Sequence, residues 1–351
     1  METQKEIQVK QEKRVDPSHI MQVGMGFWAS KTLLTAVKLD LFTVLADRSR
    51  SAAEIKHKLG LHPRGLYDFL DALVALGFLQ RKGEKDSAVY SNSPDTELFL
   101  DKNKPSYVGG ILEMANNRLY PFWNFLEDGL KTGNPQNEIR TGKQTLFEQI
   151  YSDKDKTREF VNAMSGIQTG NFITFATKFD FSGYHSLCDV GGAGGQLSAH
   201  VVSHNPHIKC TSFDLPIISP IALENISKMG LADKVNVRSG DFFTDEFPKA
   251  DIITMGNVLH DWGTTEKKML IKKAYDALPE GGALVVIENI IDNERRENAF
   301  GLLMSLNMLI ETTEGYDYTV ADFNTWVKEA GFSETSVMPL TGPTSAAIAI
   351  K

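Results

Sequence analysis

Apolar and polar positions along this chain change their spacing twice, near residue 100 and again near residue 180. Residues 1–16 carry few apolar side chains and read as a flexible tail. From Pro17 the spacing is helical, with Phe27, Leu33, Leu34, Val37, Leu41, Phe42 and Leu45 recurring at that period. Ser51 followed by Glu54 is a capping-box pattern, and the helix it opens should end at Gly60. A further helix follows Pro63, with Leu66, Phe69, Leu70, Leu73, Val74 and Leu76 apolar, and stops at Gly77. Phe78–Arg81 and Val89–Ser91 flank a polar, glycine-containing turn and predict a β-hairpin. Helices followed by a hairpin over 17–100 outline a winged helix. Residues 101–180 predict an all-helical, aromatic-rich region that includes Tyr120, Phe122, Trp123, Phe160, Phe172 and Phe175. Beyond 181 strands and helices alternate. Strands are predicted at 186–190, 209–213, 235–239, 250–255, 282–289, 334–339 and 346–350, and helices at 196–203, 217–229, 265–278, 298–311 and 319–330. Such alternation gives an α/β class with a mostly parallel sheet covered on both faces. The closing hairpin would add one antiparallel strand.

Length and charge narrow the function. At 351 residues the chain exceeds one domain core, so two domains are expected. A composition of 42% apolar and 23% charged residues is ordinary for a soluble globular protein. The formal net charge of −8 argues against broad nucleic-acid binding, which needs a basic surface. A winged helix that reads DNA presents basic and amide side chains to the groove. The recognition position here, 63–75, offers Arg64 against Asp68 and Asp71. That helix is expected to pack instead, within the fold or on a second subunit, and the excess of apolar helices points to a dimer. Cys188 and Cys210 lie in apolar runs and read as reduced core thiols. The N-terminus has no hydrophobic signal region, and the run 299–310, interrupted by Ser305 and Asn307, is too short to cross a bilayer. A cytoplasmic protein with neither membrane nor nucleic-acid partners is expected. His204 and His207 have no acidic partner at metal spacing, so no metal site is expected.

The chemistry concentrates at the ends of the predicted strands. Leu187 to Gly195 reads Leu-Cys-Asp-Val-Gly-Gly-Ala-Gly-Gly, a strand feeding a loop of small residues where bare backbone can approach a ligand. Asp214 ends the next strand, 23 residues after Gly191, where a carboxylate in this topology accepts two ribose hydroxyls. Ribose above a glycine-rich loop fits NAD or S-adenosylmethionine. Three features separate the two. The loop follows D-x-G-x-A-x-G rather than G-x-G-x-x-G, and no Tyr-x-x-x-Lys pair occurs in the chain. Gly240-Asp241-Phe242-Phe243 ends the third strand, where Asp241 can accept from the exocyclic amine of an adenine while Phe242 packs on the ring.

With these segments, Phe213–Pro216, the run Val258-Leu259-His260-Asp261-Trp262 and the ending Glu329-Ala330-Gly331-Phe332, the chain resembles a known enzyme class. This is the S-adenosylmethionine-dependent O-methyltransferase class that includes caffeate, acetylserotonin and many bacterial natural-product enzymes. The resemblance covers nearly the whole length. It implies a Rossmann-like, seven-stranded catalytic domain over 181–351 that binds S-adenosylmethionine and leaves S-adenosylhomocysteine. It further implies a mostly helical winged-helix dimerisation domain over 17–100, hence a homodimer, and a helical linker and substrate-pocket region over 101–180. His260 would be the general base. Two positions depart from the family. Gly256 stands where many members carry a lysine, so cofactor contact there falls to the backbone. The family's second glutamate, in a G-x-E-R-T segment, is Asp317, and its arginine neighbour is Tyr318, which puts that orienting bond in question.

The base also makes chemical sense by itself. A phenol titrates near ~10, so a base must take its proton as attack proceeds, and histidine suits that role. The other ring nitrogen needs a carboxylate to fix the tautomer. Glu288, 28 residues after His260 and matching the family's orienting glutamate, is one candidate; Asp317 is the other, and Asp261 adjoins the ring. The expected donor site comprises Asp189, Gly191, Gly192, Ala193, Gly195, Asp214, Leu215, Gly240, Asp241, Phe242, Gly256 and Trp262. Trp123, Phe160, Met164, Met304, Asn307 and Met308 are expected to wall a small aromatic or polycyclic substrate. The expected reaction is methylation of a hydroxyl. C- or N-methylation, or hydroxylation or decarboxylation on the same scaffold, is the alternative, because binding motifs do not fix the acceptor atom.

Overall fold

A computed structural model describes residues 15–141 and 154–351. One compact unit ends at Asn103 and a second begins at Lys104.

The first unit holds helices Ser18–Gly24, Gly26–Lys38, Leu41–Leu45, Ala52–Leu59, Leu66–Ala75 and Pro94–Phe99. Its sheet contains β1 (Arg50–Ser51), β2 (Leu79–Lys82) and β3 (Val89–Asn92) in the order β1-β3-β2, all antiparallel. The expected hairpin is β2–β3; β1, two residues long, is too short to leave a pattern. Glu54 donates its amide to the Ser51 hydroxyl and accepts the Ser51 amide at 2.8 Å, which completes the capping box. Gly60, with φ of +65°, ends that helix. The helix expected after Pro63 begins as a 3-10 turn, Pro63–Gly65, before Leu66–Ala75 buries Leu66, Leu70 and Leu73. Asp71 accepts from the Tyr90 hydroxyl at 2.9 Å and pairs with Arg81 at 2.8 Å, so this carboxylate ties the helix to the hairpin.

The second unit starts with helices Gly109–Met114, Tyr120–Phe122, Leu126–Thr132 and Lys154–Lys178. A π-helical turn at Ala115–Leu119, which no periodicity predicted, interrupts them. Of the region expected to be all-helical, 142–153 lie outside the described residues, as do 1–14 of the expected tail.

Seven strands follow: β4 (Ser186–Val190), β5 (Lys209–Asp214), β6 (Val235–Ser239), β7 (Ile252–Gly256), β8 (Ala283–Glu288), β9 (Glu334–Pro339) and β10 (Ser345–Ile350). Their order is β6-β5-β4-β7-β8-β10-β9. β4 to β8 are parallel, and β10 runs antiparallel to both its neighbours, as the sequence predicted. Every residue of β8 is buried, because helices cover both faces. Alternate side chains enter two cores. Cys188, Val190, Leu284 and Val286 join Leu270, Ile271 and Phe323 on one face. Leu187, Val285 and Ile287 join Phe175, Leu197 and Ile226 on the other. Cys188 and Cys210 are free and buried. No helix among the described residues is long and apolar enough to cross a membrane. β4 lies between β5 and β7, so successive connections leave it in opposite directions. In open α/β sheets ligands bind at the carboxyl ends of the strands flanking such a switch point.

Candidate active site

β4 runs directly into the small-residue loop. Gly191 and Gly195 adopt φ of +72° and +76°. A Cβ on Gly191 would stand 2.7 Å from Val258 Cγ2, and one on Gly192 would stand 2.4 Å from Ser212 Oγ. The loop therefore lies flat between β5 and the turn after β7, and only glycine fits. The amides of Gly191 and Gly192 donate to the Phe213 carbonyl at 2.9 and 3.3 Å. Asp214 Oδ2 accepts the Ala193 amide at 2.8 Å and Oδ1 accepts the Leu215 amide at 2.7 Å. Burial pushes the Asp214 carboxyl up to about 6, against the pull of these two amides. Each of its oxygens retains a further lone pair for a ligand hydroxyl.

Asp189 stands at the base of the loop. It is 3% exposed, and its Oδ1 accepts from Thr254 Oγ1 at 2.7 Å. Burial raises its carboxyl to about 7. Oδ1 links β4 to β7, while Oδ2 lies against the loop, where a Cβ on Gly192 would stand 3.1 Å from it. Helix Lys154–Lys178 passes over that loop: a Cβ on Gly194 would meet Val161 Cγ1 at 3.1 Å and Ser165 Oγ at 3.3 Å. Phe160 and Met164 ride on this helix, both half-buried. Gly256 ends β7, and a Cβ there would make an ordinary 3.7 Å contact with Phe172.

The end of β6 supplies an aromatic cluster. Gly240 donates its amide to the Asp214 carbonyl at 2.9 Å. Asp241 Oδ1 accepts the Phe243 amide at 2.8 Å and so closes the turn that presents the rings. Phe242 meets Phe243 edge-on at 4.7 Å between centroids, and Trp262 meets Phe243 at 4.6 Å and Phe242 at 5.9 Å. Phe242 and Trp262 were expected at this place; Phe243 was not.

His260 sits in the 3-10 turn Leu259–Asp261 after β7 and is 6% exposed. Its Nδ1 lies 3.4 Å from Asp317 Oδ1, and its Nε2 lies 3.6 Å from Asp261 Oδ1. Glu288 does something other than orient the ring. Its Oε1 accepts the backbone amides of Val258 and His260, both at 3.1 Å. The end of β8 thus holds the turn, and the shorter Asp317 is the carboxylate beside Nδ1. Asp317 reaches it because Gly315 lets the chain approach so closely: a Cβ there would stand 2.7 Å from the carbonyl oxygens of both His260 and Asp261. Ile291, whose amide donates to the Tyr318 carbonyl at 2.9 Å, and Ser305, whose hydroxyl accepts the Asp317 amide at 3.1 Å, fix the segment.

Burial alone would push the imidazole pKa down. The charges of Asp261, Asp317 and Glu288 outweigh it and hold the ring up at about 10. Burial raises Asp261 to about 7, with His260 pulling the other way, and raises Glu288 as well. Lys267 completes the group. It is fully buried, its Nζ donates to the Trp262 carbonyl, and it lies 3.6 Å from the centroid of the Tyr316 ring. Burial lowers its pKa to about 8 despite the carboxylates nearby.

Residues 123–333 match the sequence profile of the O-methyltransferase domain, and 21–102 that of the O-methyltransferase dimerisation domain. The chain belongs to the O-methyltransferase family. It is 41% identical to the tetracenomycin polyketide synthesis 8-O-methyl transferase TcmO of Streptomyces glaucescens, over 95% of this chain and 97% of that protein. It is 32% identical to the N,N-dimethyltransferase OxyT of Streptomyces rimosus, over 89% and 90%. The crystal structure of human N-acetylserotonin methyltransferase in complex with SAM superposes with a TM-score of 0.89, at 27% identity, over 97% of this chain and 99% of that one.

Within this family fold, the expected substrate residues fall on three helical segments. Trp123 Nε1 donates to Asn307 Oδ1 at 2.8 Å, which joins two of them directly. Asn307 and Met308 lie three and four residues after Met304 on helix Ala299–Glu311; Met308 is buried and the other two are half-buried. Sequence reasoning missed Lys267. A pattern could have flagged it, because Lys267, Leu270, Ile271 and Ala274 form the buried stripe of helix Thr264–Ala277, and a lysine occupies a core position there.

Proposed function

We propose that this enzyme transfers the methyl group of S-adenosylmethionine to a hydroxyl of a small aromatic or polycyclic natural product, with His260 as general base. The observation that carries this reading is the buried His260 ring, set between Asp317 and Asp261 two residues after Val258, which touches the glycine loop. The name of TcmO supports a polyketide-like acceptor. The donor fits the residues present. The loop 191–195 carries no side chain larger than the Ala193 methyl, Asp214 keeps lone pairs for ribose hydroxyls, and Asp241 with Phe242 and Trp262 offers an acceptor and ring faces for an adenine. When bound, that donor supplies an electrophilic methyl group on a sulfonium. A proton on Nδ1, facing Asp317, leaves Nε2 to take the acceptor's proton, and Asp261 beside Nε2 stabilises the resulting imidazolium. An acceptor phenol near ~10 and an imidazole held at about 10 are closely matched, so the two groups share one proton at little cost. In-line placement of oxygen and methyl carbon by the pocket walls contributes the larger part, up to roughly 7–11 kcal/mol. Exposed Ile20 (73%), Val23 (67%), Phe27 (51%) and Trp28 (62%) on the first two helices support a homodimer through the dimerisation domain.

An amine acceptor is a second reading, favoured by the similarity to OxyT. Calorimetry with S-adenosylmethionine, followed by mass and carbon NMR analysis of phenolic and amine acceptors given labelled donor, decides between them. Heat on binding and a methoxy carbon in the product are expected. Uptake of NAD without heat from S-adenosylmethionine would sink both readings, and an N-methyl carbon would leave only the second.

Asp214→Ala is expected to weaken S-adenosylmethionine binding by about 10- to 100-fold, the loss of hydrogen bonds to a charged acceptor. Because this carboxyl titrates near 6, donor affinity in the wild type should fall as pH drops below that value, where the group binds a proton. Binding that is flat from pH 5 to 8 would contradict the assignment.

A further inference from the structure

Lys267 is a fully buried charge in the middle of a helix's core stripe. An ammonium at such a position is costly unless several groups compensate it. Here the compensation comes from three sides. The Trp262 carbonyl accepts from Nζ, the faces of Tyr316 and Tyr318 lie 3.6 and 5.6 Å from it, and the carboxylates of Glu288, Asp317, Asp261 and Glu266 act on its charge. Three of those four carboxylates, Glu288, Asp317 and Asp261, are the ones that act on His260. One buried cluster therefore contains three acids shared by two cations, one of which must lose a proton during turnover.

We propose that Lys267 is a positioning residue of this cluster: its ammonium balances Asp261, Glu288 and Asp317, so that His260 is not left as their counter-ion and can release its proton. The proposal rests on the reading of His260 as the base. Without Lys267 the three acids would hold the imidazolium proton more tightly. Apolar packing at 267 would be easier to build, and the hydrogen bond to the Trp262 carbonyl needs a donor rather than a charge. Three groups face His260: Asp261 from its own turn, Glu288 from β8 and Asp317 from the segment after Gly315. Lys267 acts on the same acids from the helix that follows, its Nζ set against the rings of Tyr316 and Tyr318 on either side of Asp317 in the chain.

The test is the pH dependence of kcat/KM in Lys267→Met and Lys267→Arg. Below about pH 8, where Lys267 carries its charge, Lys267→Met should move the rising limb to higher pH by about one unit, the size expected for loss of a charge within one buried cluster. kcat/KM near pH 7.5 then falls about tenfold and recovers to near the wild-type plateau at higher pH. Lys267→Arg keeps the charge and should leave the limb near its wild-type position. An equal loss at every pH with the limb unmoved would overturn the proposal, since that is what a purely structural lysine would give. If Lys267→Met does not fold, the wild type carries the test by NMR of 13C-labelled lysine and 15N-labelled histidine. One lysine should titrate near pH 8, and the His260 ring signals should respond in the same range. A ring that ignores the lysine's titration would overturn the proposal equally. Failure of the underlying reading looks different, because His260→Ala would then retain its rate.

Discussion

His260→Ala is expected to lower kcat by about 10²–10⁴ while S-adenosylmethionine affinity stays within about twofold of wild type. The donor contacts assigned above come from the glycine loop, Asp214, Asp241 and the aromatic cluster, and none of them uses the imidazole. Turnover does, because an unionised phenol is a poor nucleophile and the ring is the group placed to take its proton. Calorimetry with the donor and single-turnover methylation measure the two quantities separately. Removing the ring also takes away the cation beside the buried Asp317 and leaves Lys267 to balance it, so His260→Gln, which keeps volume and a donor, is the companion variant. The wild-type pH profile follows from the same electrostatics. With the ring held at about 10, enzyme plus phenol carries one proton too many at neutral pH. kcat/KM should therefore climb about tenfold per pH unit toward the macroscopic pKa of the imidazole–phenol pair and level off above it. Equal loss of binding and turnover in His260→Ala, or a flat wild-type profile from pH 6 to 9, would refute the division of roles.

The parts of the molecule that repeat a local rule were legible in the sequence. Residues 283–287 are a continuous apolar run because both sheet faces are covered, and the small residues after β4 announce backbone contact. The capping box of Ser51 and Glu54 and the αL glycine at 60 mark the two ends of a helix. What escaped the sequence depends on side-chain direction across distant segments. Glu288 and Asp317 are both acids within reach of His260, and spacing cannot say that one accepts two backbone amides while the other faces Nδ1. Asp189 was legible as part of the loop, but its bond to Thr254 on the neighbouring strand was not. Lys267 satisfies helical periodicity in position and violates it in chemistry, and only its burial among acids and tyrosine rings explains that.

The different duties of the two acids predict opposite outcomes for their amides. Asp317→Asn should cut the plateau kcat by about 10²–10⁴, because the amide can no longer fix the Nδ1–H tautomer or stabilise the imidazolium. It also removes an anion that holds the ring's proton, so the rising limb of the pH profile should shift downward, the reverse of Lys267→Met. Glu288→Gln keeps a carbonyl oxygen for the amides of Val258 and His260, so the turn survives and the plateau should fall by less than about tenfold. Glu288→Ala is another matter. Two buried amides lose their acceptor at once, and at about 1–3 kcal/mol each the variant should lose roughly 2–6 kcal/mol of folding stability, visible in denaturant unfolding before any rate is measured. Asp317→Asn should unfold nearer to the wild-type midpoint, since its side chain accepts no backbone amide in this fold. Kinetics that rank Glu288→Gln below Asp317→Asn would return the orienting role to Glu288 and assign the 3.4 Å approach of Asp317 to packing alone.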